Sequence, residues 1–431
     1  MFDLAIIGGG PAGYSAAFEA VRYNLSVCMF ECDKIGGTCL NRGCVPTKYL
    51  SYVARKYQDI KKQDDGIFVK SVKIDYEKTI SKMDDIVSSL RMGLNESLNK
   101  SRVEMVFGNA IIKESGVVVC NGKEYYAKKI IIATGTVANV PLVQGALTSD
   151  EVLNMDYIPE RIHIIGGGAV AVEFAEIFSM LGSSVNISIR GDRILKNWDK
   201  EIANSLTQSM KKKGIIINKR CDFASMTFCD DEIVISATGR RANVPSVEGD
   251  LFDIGINGGI IVDCNYQTKT QGVFAAGDVI EGSEQLAHTA MEQGRQIVRF
   301  IVKETGIHKK TVIRCIYPYQ EIASVGLTEA DAKEQGIGYL VAKQTMFSNA
   351  RTVISTTERG FIKIVVEKER GRILGAQLVC EHAGEIVSEL AMAIDQGLTV
   401  NNMLQTVRPH PSYCESLQDV FRTMEDKINE V

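Results

Sequence analysis

Short unbroken apolar runs that end in glycine recur along this chain. The first, Leu4-Ala5-Ile6-Ile7, reads as a buried strand. Gly8-Gly9-Gly10-Pro11-Ala12-Gly13 follows it, then a helical stretch over 14–23 and a second strand over 25–30 that ends at Glu31. The same order returns at Arg161-Ile162-His163-Ile164-Ile165. There Gly166, Gly168 and Ala171 form the turn, a helix runs to Leu181, and a strand covers 185–189. Two further strands end alike, Ile130-Ile131-Ile132-Ala133-Thr134-Gly135 and Val234-Ile235-Ser236-Ala237-Thr238-Gly239, so the pattern is an internal repeat of two nucleotide-binding units. Between them, 51–100 predicts long helices. Ile80, Met83, Ile86, Val87, Leu90, Leu94 and Leu98 keep near-helical spacing there, and the charges form a solvated face. Short strands with a turn at Asn121-Gly122 are expected over 103–127, and one hairpin at most over 221–237. The run 270–278 is a strand that delivers Asp278 to a loop, ahead of a helix over 289–303. From Thr311 the texture changes to strands at 322–326, 360–366 and 373–378 followed by helices, an α+β pattern.

At 431 residues the chain is too long for one core, and roughly two to four domains are expected. A composition of 45% hydrophobic and 24% charged residues is that of a globular protein, and a net charge of −4 argues against general nucleic-acid binding. No apolar run approaches the ~20 residues of a membrane span. The start of the chain lacks the basic leader of a secretion signal. With eleven cysteines, an odd number, this points to a reducing, cytoplasmic setting where most remain thiols.

The stretch Gly36-Gly37-Thr38-Cys39-Leu40-Asn41-Arg42-Gly43-Cys44-Val45-Pro46-Thr47-Lys48 carries the candidate chemistry. On a helix, Cys39 lies in the first turn and Cys44 about one turn later. The two sulfurs then meet on one face, near an N-terminus that favours thiolate. Two packed thiols are the plain alternative. A zinc site needs two more suitably spaced ligands, and no matching pair exists. In the first glycine turn, Gly8 allows the tight turn, Gly10 admits a pyrophosphate and Gly13 lets helix pack on strand, with Glu31 placed for a ribose hydroxyl. The second turn departs from this. Ile189 stands at the acidic position, Arg190 follows, and Lys196 lies six residues on with Arg193 between. Cations bind a 2′-phosphate that a carboxylate repels, so NADPH is favoured over NADH; as solvated surface residues they leave NAD accepted. Glu173 reads as a cap or dipole partner of its helix, and His288 as structural. Near the C-terminus, His410 is held between Pro409 and Pro411, and Glu415 is placed to orient the imidazole, the alternative being an ordinary surface histidine. Cys414 reads as a packed thiol.

These motifs in this order resemble the pyridine nucleotide–disulfide oxidoreductases over nearly the whole chain, most like their dihydrolipoamide dehydrogenase branch. The resemblance implies an α/β fold of two Rossmann-like domains, for FAD and NAD(P), with a C-terminal α+β dimerisation domain. The implied boundaries are 1–140 and 255–308 for FAD, 141–254 for NAD(P)H and 309–431 for the interface. It assigns Cys44 to a charge-transfer pair with the flavin, Cys39 to interchange with substrate, and Lys48 to the flavin N5, paired with Glu173. His410, oriented by Glu415, becomes the acid–base group, supplied by the partner subunit of a homodimer. The flavin set extends to Thr134, Gly135, Gly277, Asp278 and Ala287, and the nicotinamide set to Gly239. The implied reaction passes electrons between NAD(P)(H), flavin, the cysteine pair and a dithiol, as dihydrolipoamide on a lipoyl-bearing protein or as a small disulfide. Neither nucleic acid nor membrane enters. An NADPH-dependent glutathione or other disulfide reductase is the alternative, and a flavin redox sensor without turnover is the non-enzymatic one. Two departures stand out: Ser412 replaces the threonine commonly found after His-Pro, and the chain is shorter than typical members.

Overall fold

The computed structural model describes residues 1–62, 66–356 and 360–430. They form two compact units: Met1–Val53 with Lys73–Tyr157 and Thr238–His308, and Ala54–Val72 with Ile158–Ala237 and Lys309–Val431.

In the first unit, β1 (Phe2–Ile7), α1 (Pro11–Arg22) and β2 (Val27–Glu31) make the opening crossover. α2 (Gly37–Arg42), α3 (Cys44–Lys62), which runs on past Val53, and α4 (Tyr76–Lys100) follow, then β3 (Glu104–Phe107), β4 (Ala110–Glu114), β5 (Val117–Cys120) and β6 (Lys123–Ile132). The sheet order is β3-β2-β1-β6-β5-β4, with the strand Val273–Ala275 also on β6. β1 lies parallel to both β2 and β6, so the chain order reverses there, and a ligand crevice is expected at the carboxyl ends of those strands. The parallel strands β1 and β2 are near-continuous apolar runs, as strands buried on both faces are. Gly294 of the helix Ala287–Lys303 meets α1 so closely that a Cβ would stand 2.3 Å from the Ala12 carbonyl oxygen. At the expected Asn121-Gly122 turn both residues have positive φ, 52° and 74°, as a two-residue hairpin demands.

In the second unit, four parallel strands run in the order Ile216–Asn218, Ser184–Ser188, Arg161–Ile165, Glu232–Ser236. The helix Ala169–Leu181 is buried nearly all round and ends at Gly182 in the left-handed region. A separate antiparallel sheet of five strands, Ile313–Ile316, Ile322–Gly326, Ile373–Val379, Phe361–Glu367 and Tyr339–Thr345, packs under the helices Ala383–Asp395 and Ser416–Asn429. Lys363 sits inside this sheet at 2% exposure and is compensated by Asp199, Glu201 and Glu329 at 2.8, 3.2 and 2.9 Å.

Residues 221–237 hold one strand and a 3₁₀ turn, within the expectation of one hairpin at most. Two details differ from the sequence expectations. The cysteine stretch is two helices rather than one, broken at Gly43. The edge strands Ile313–Ile316 and Tyr339–Thr345 were not anticipated, because their half-exposed patterns lack a clean alternation. Among the described residues no helix is long and apolar enough to cross a membrane, and no cluster of side chains is arranged to hold a metal.

Candidate active site

Gly36 and Gly37 both have positive φ, 99° and 58°, and turn the chain into α2. A Cβ on Gly37 would stand 2.8 Å from the Gly10 Cα, so the cysteine helix starts directly against the first glycine turn. Gly43 ends α2, where a Cβ would crowd the Thr38 carbonyl oxygen at 2.9 Å, and Cys44 then opens the 19-residue α3. Cys44 therefore sits where the helix dipole favours a thiolate. Cys39 and Cys44 are both thiols, hydrogen-bonded to each other. That bond, then burial, pushes the Cys39 thiol up, and the Lys48 ammonium one turn into α3 pulls it back. The pair thus shares one proton and one negative charge more readily than two.

Polar contacts hold this segment in place. Asn41 Nδ2 donates to the carbonyls of Ile35 and Gly37 at 3.0 and 2.9 Å, and Arg91 donates to Asn41 Oδ1 at 3.1 Å. Arg42 pairs with Asp33 and Asp150, and Asp150 also takes Arg240 at 2.9 Å. Arg240 further donates to Thr136 and, at 3.4 Å, to Thr38 Oγ1 beside Cys39. Arg240 and Tyr14 were not singled out from sequence. Burial, with the charge of the two cysteines, pushes the Tyr14 phenol up to about 12. Only the Arg240-Arg241 pair after the Ala-Thr-Gly repeat hinted at the first, and nothing hinted at the second.

The first glycine turn has the features of a dinucleotide cradle. Gly8 has φ 105°, and a Cβ there would overlap the Ala133 carbonyl oxygen at 2.3 Å. On Gly13 a Cβ would overlap the Gly8 oxygen at 1.9 Å, while at Gly10 the nearest atom is 3.8 Å away. Glu31 is buried and accepts the Gly9 and Asp33 amides, each at 2.8 Å, so it joins the turn to the segment leading into α2. Gly10 and Leu286 head α1 and the helix beginning at Ala287 without a side-chain cap among the described residues, leaving amides for an anion. The Thr134 hydroxyl is buried and finds no hydrogen-bond partner among the described residues, beside Gly135 at φ 67°. Gly277 donates to Gln293 at 2.7 Å, and burial pushes the neighbouring Asp278 carboxyl up while Arg240 pulls it down. An orphaned hydroxyl, open glycine and uncapped helix ends fit a flavin dinucleotide.

In the second unit Gly166 has φ 122°, and Gly168 is open at the head of the helix that carries the fully buried Ala171. Ile189 is buried, 2.7 Å from a notional Cβ on Gly167. Arg190 lies over the Phe223 ring at 5.0 Å, exposed to solvent, and Lys196 is likewise exposed. The Leu195 amide donates to the Gly167 carbonyl at 2.7 Å and draws this basic loop against the glycine turn. Glu173 is buried and its Oε1 accepts the Tyr317 amide at 2.9 Å. Gly239 falls in the first unit, with φ 105° and its carbonyl accepting the Asn139 amide.

His410 Nδ1 lies 2.7 Å from Glu415 Oε2, and the imidazole is 74% exposed. A carboxylate at Nδ1 requires the proton there, which leaves Nε2 with its lone pair for exchange with a substrate. The pair edges a groove of about 500 Å³ lined also by Asn349, Leu404, Val407, Arg408, Asp419 and Arg422. Arg408, which precedes the His-Pro loop, is buried and anchored to Glu389 at 2.5 Å and Gln418 at 2.7 Å. Cys414 Sγ lies 3.2 Å from Ser412 Oγ.

Residues 2–294 match the pyridine nucleotide-disulphide oxidoreductase family, and 312–421 match its dimerisation domain. The chain is 30% identical to the dihydrolipoyl dehydrogenase of Mycoplasma pneumoniae, covering 98% of each, and 31% identical to one from Bacillus subtilis, covering 96% of this chain and 94% of that protein. A mercuric reductase of Lysinibacillus sphaericus is 29% identical over 99% of this chain and 83% of its own length. Among solved structures, the HOCl-induced flavoprotein disulfide reductase RclA from Escherichia coli superposes with a TM-score of 0.87 at 26% identity, covering 97% of this chain and 99% of that one. With a thiol pair beside a dinucleotide cradle and family matches across both segments, the chain belongs to the pyridine nucleotide-disulphide oxidoreductase family of flavoproteins.

Proposed function

We propose that this flavoprotein disulfide oxidoreductase is a dihydrolipoamide dehydrogenase that prefers NADP(H) and accepts NAD(H). The observation that carries the reading is the mutually hydrogen-bonded Cys39 and Cys44 beside Lys48, combined with a His410–Glu415 pair whose Nε2 is free to relay a proton. His410 takes a proton from one substrate thiol. The resulting thiolate attacks the Cys39 sulfur of the oxidised pair. A substrate–Cys39 bond forms, the Cys39–Cys44 bond breaks, and Cys44 leaves as thiolate. The second substrate thiol releases its proton to solvent as its sulfur closes on the first, the substrate–Cys39 bond breaks, and Cys39 leaves and takes the proton held on His410. The dithiol has become a cyclic disulfide, and the cysteine pair is left as a Cys39 thiol and a Cys44 thiolate. FAD, when bound, carries the two electrons between that pair and the nicotinamide.

Gly8, Gly10, Gly13, Glu31, Thr134 and Asp278 would hold FAD; Gly166, Gly168, Arg190 and Lys196 would hold the second nucleotide. The protein acts as a cytoplasmic homodimer in which His410 of the partner subunit serves each cysteine pair, and a lipoyl-bearing protein brings the substrate. Ile189 with Arg190 supports a second reading, an NADPH-dependent reductase of another disulfide. Dihydrolipoamide oxidation by the FAD-loaded protein with NAD and NADP side by side tests the first. Strong turnover favouring NADP is expected. Activity confined to glutathione disulfide with NADPH, and none on dihydrolipoamide, moves the assignment to the second.

A further inference from the structure

Asn349 joins two segments 66 residues apart in sequence. It is buried at 5% exposure and heads the short helix Ala350–Ile354. Its Oδ1 accepts the Thr352 amide at 2.9 Å and the Thr352 hydroxyl at 3.1 Å. Both are donors, so the amide oxygen must face the helix and the amide NH₂ must face the other way, toward the His-Pro loop. There Nδ2 donates to the Ser412 carbonyl at 2.8 Å and reaches Glu415 Oε1 at 3.4 Å.

We propose that Asn349 is a positioning residue for the His410–Glu415 pair, its amide holding the Ser412 carbonyl and, at longer range, the Glu415 carboxylate so that Oε2 faces the imidazole. The inference rests on the proton-relay role given to that pair. The loop is stitched around the same oxygen. The Ser412 amide also approaches Glu415 Oε1 at 3.4 Å, and the Ser412 hydroxyl accepts the Glu415 amide at 3.2 Å and donates to the Pro409 carbonyl at 2.6 Å. The imidazole is 74% exposed, so packing does not fix its direction; the carboxylate does. Whatever fixes the carboxylate therefore fixes the ring. The contacts to Oε1 are long, so the 2.8 Å bond to the Ser412 carbonyl, which sets the loop's height above the helix, is the dominant one.

Arg408, Asp419 and Arg422 line the same groove, and Arg408 is occupied by Glu389. Replacing the amide by a carboxylate adds one negative charge beside Glu415 and turns a donor into an acceptor against the Ser412 carbonyl. Aspartate caps a helix as well as asparagine does, so Asn349→Asp leaves the short helix its cap while removing the amide. Asn349→Ser keeps a capping oxygen, loses the amide and adds no charge.

The test uses the FAD-loaded full chain with ¹³C-labelled histidine; there are five histidines, and His410→Gln assigns the signal. Added negative charge stabilises the imidazolium, so Asn349→Asp should raise the His410 titration midpoint by about half a pH unit or more. In dihydrolipoamide oxidation kcat should fall about tenfold with KM within about twofold, because positioning acts on the reacting state. Asn349→Ser should show the fall in kcat without the upward shift, and it serves if the aspartate variant does not fold. An unmoved His410 midpoint and unchanged kcat in these variants, beside a crippled His410→Gln, overturn the role of Asn349 alone. Wild-type turnover by His410→Gln removes the relay itself, and the positioning role with it.

Discussion

Ile189, which by count from the second glycine turn stands where the acid is expected, is buried and offers no polar group there. Arg190 is exposed and rests its guanidinium over Phe223, which limits its rotamers while leaving its N–H groups toward solvent. Arg190→Glu should raise KM for NADPH about tenfold or more and leave KM for NADH within about threefold, since only the 2′-phosphate meets the reversed charge. Equal losses on both nucleotides refute the phosphate pocket. At the thiols, Cys44 heads a long helix, and its hydrogen bond, with burial, pushes the Cys39 thiol up. Cys44→Ser should remove the long-wavelength absorbance of the reduced, FAD-loaded protein while the flavin remains bound, read as an unchanged flavin peak after gel filtration. A surviving band assigns the contact to another group.

At the scale of elements, what sequence made legible was whatever repeats with a period. The two strand–glycine–helix units, the Asn121-Gly122 hairpin and the strands at Ile322–Gly326 and Ile373–Val379 all follow from hydrophobic runs and glycine placement. Gly43 was not legible as a break, because a glycine between two helical segments is as compatible with a continuous helix; its non-helical backbone, φ −141° and ψ −111°, makes the break. Asn349 and Arg240 escaped for another reason: each acts on a segment far away in sequence, and pairing across such distance leaves no local pattern. The parallel sheet of the second unit also hides a titratable network. His163 Nε2 lies 2.8 Å from Ser188 Oγ, its Nδ1 lies 3.4 Å from Glu232, and Phe228 packs edge-on against the ring. Burial lowers its pKa, with Glu232 opposing. The folded state thus prefers the neutral ring, and the unfolded chain binds the extra proton as pH falls below about 6.5. Stability from this group is present above that pH and is lost on acidification. Urea denaturation between pH 5 and 7 should show that loss, and His163→Gln should flatten the pH dependence; a parallel slope in the variant excludes His163 as its source.

For the whole molecule, the two family matches put Cys39 and Cys44 in the segment 2–294 and His410 in the dimerisation segment 312–421. If each cysteine pair is served by His410 of the partner subunit, two dead variants complement each other. Cys39→Ser and His410→Gln, each inactive alone, should recover about a quarter of wild-type activity after equimolar dissociation and reassembly. Half of the dimers are then mixed, and each mixed dimer has one intact site. Recovery near zero shows that thiols and histidine belong to the same subunit.

The contact between Gly37 and Gly10 has a consequence for how such a chain can vary. A side chain at 37 has nowhere to go except into the backbone of residue 10, and residue 10 lies on the glycine turn proposed above to hold the flavin dinucleotide. Substitutions at these two positions are therefore not independent: drift at one is exposed to selection acting on the other. In a saturation library scored separately for flavin retention and for thiol reactivity, variants at Gly37 should fail both screens together, and no second change at Gly10 that adds atoms should rescue them.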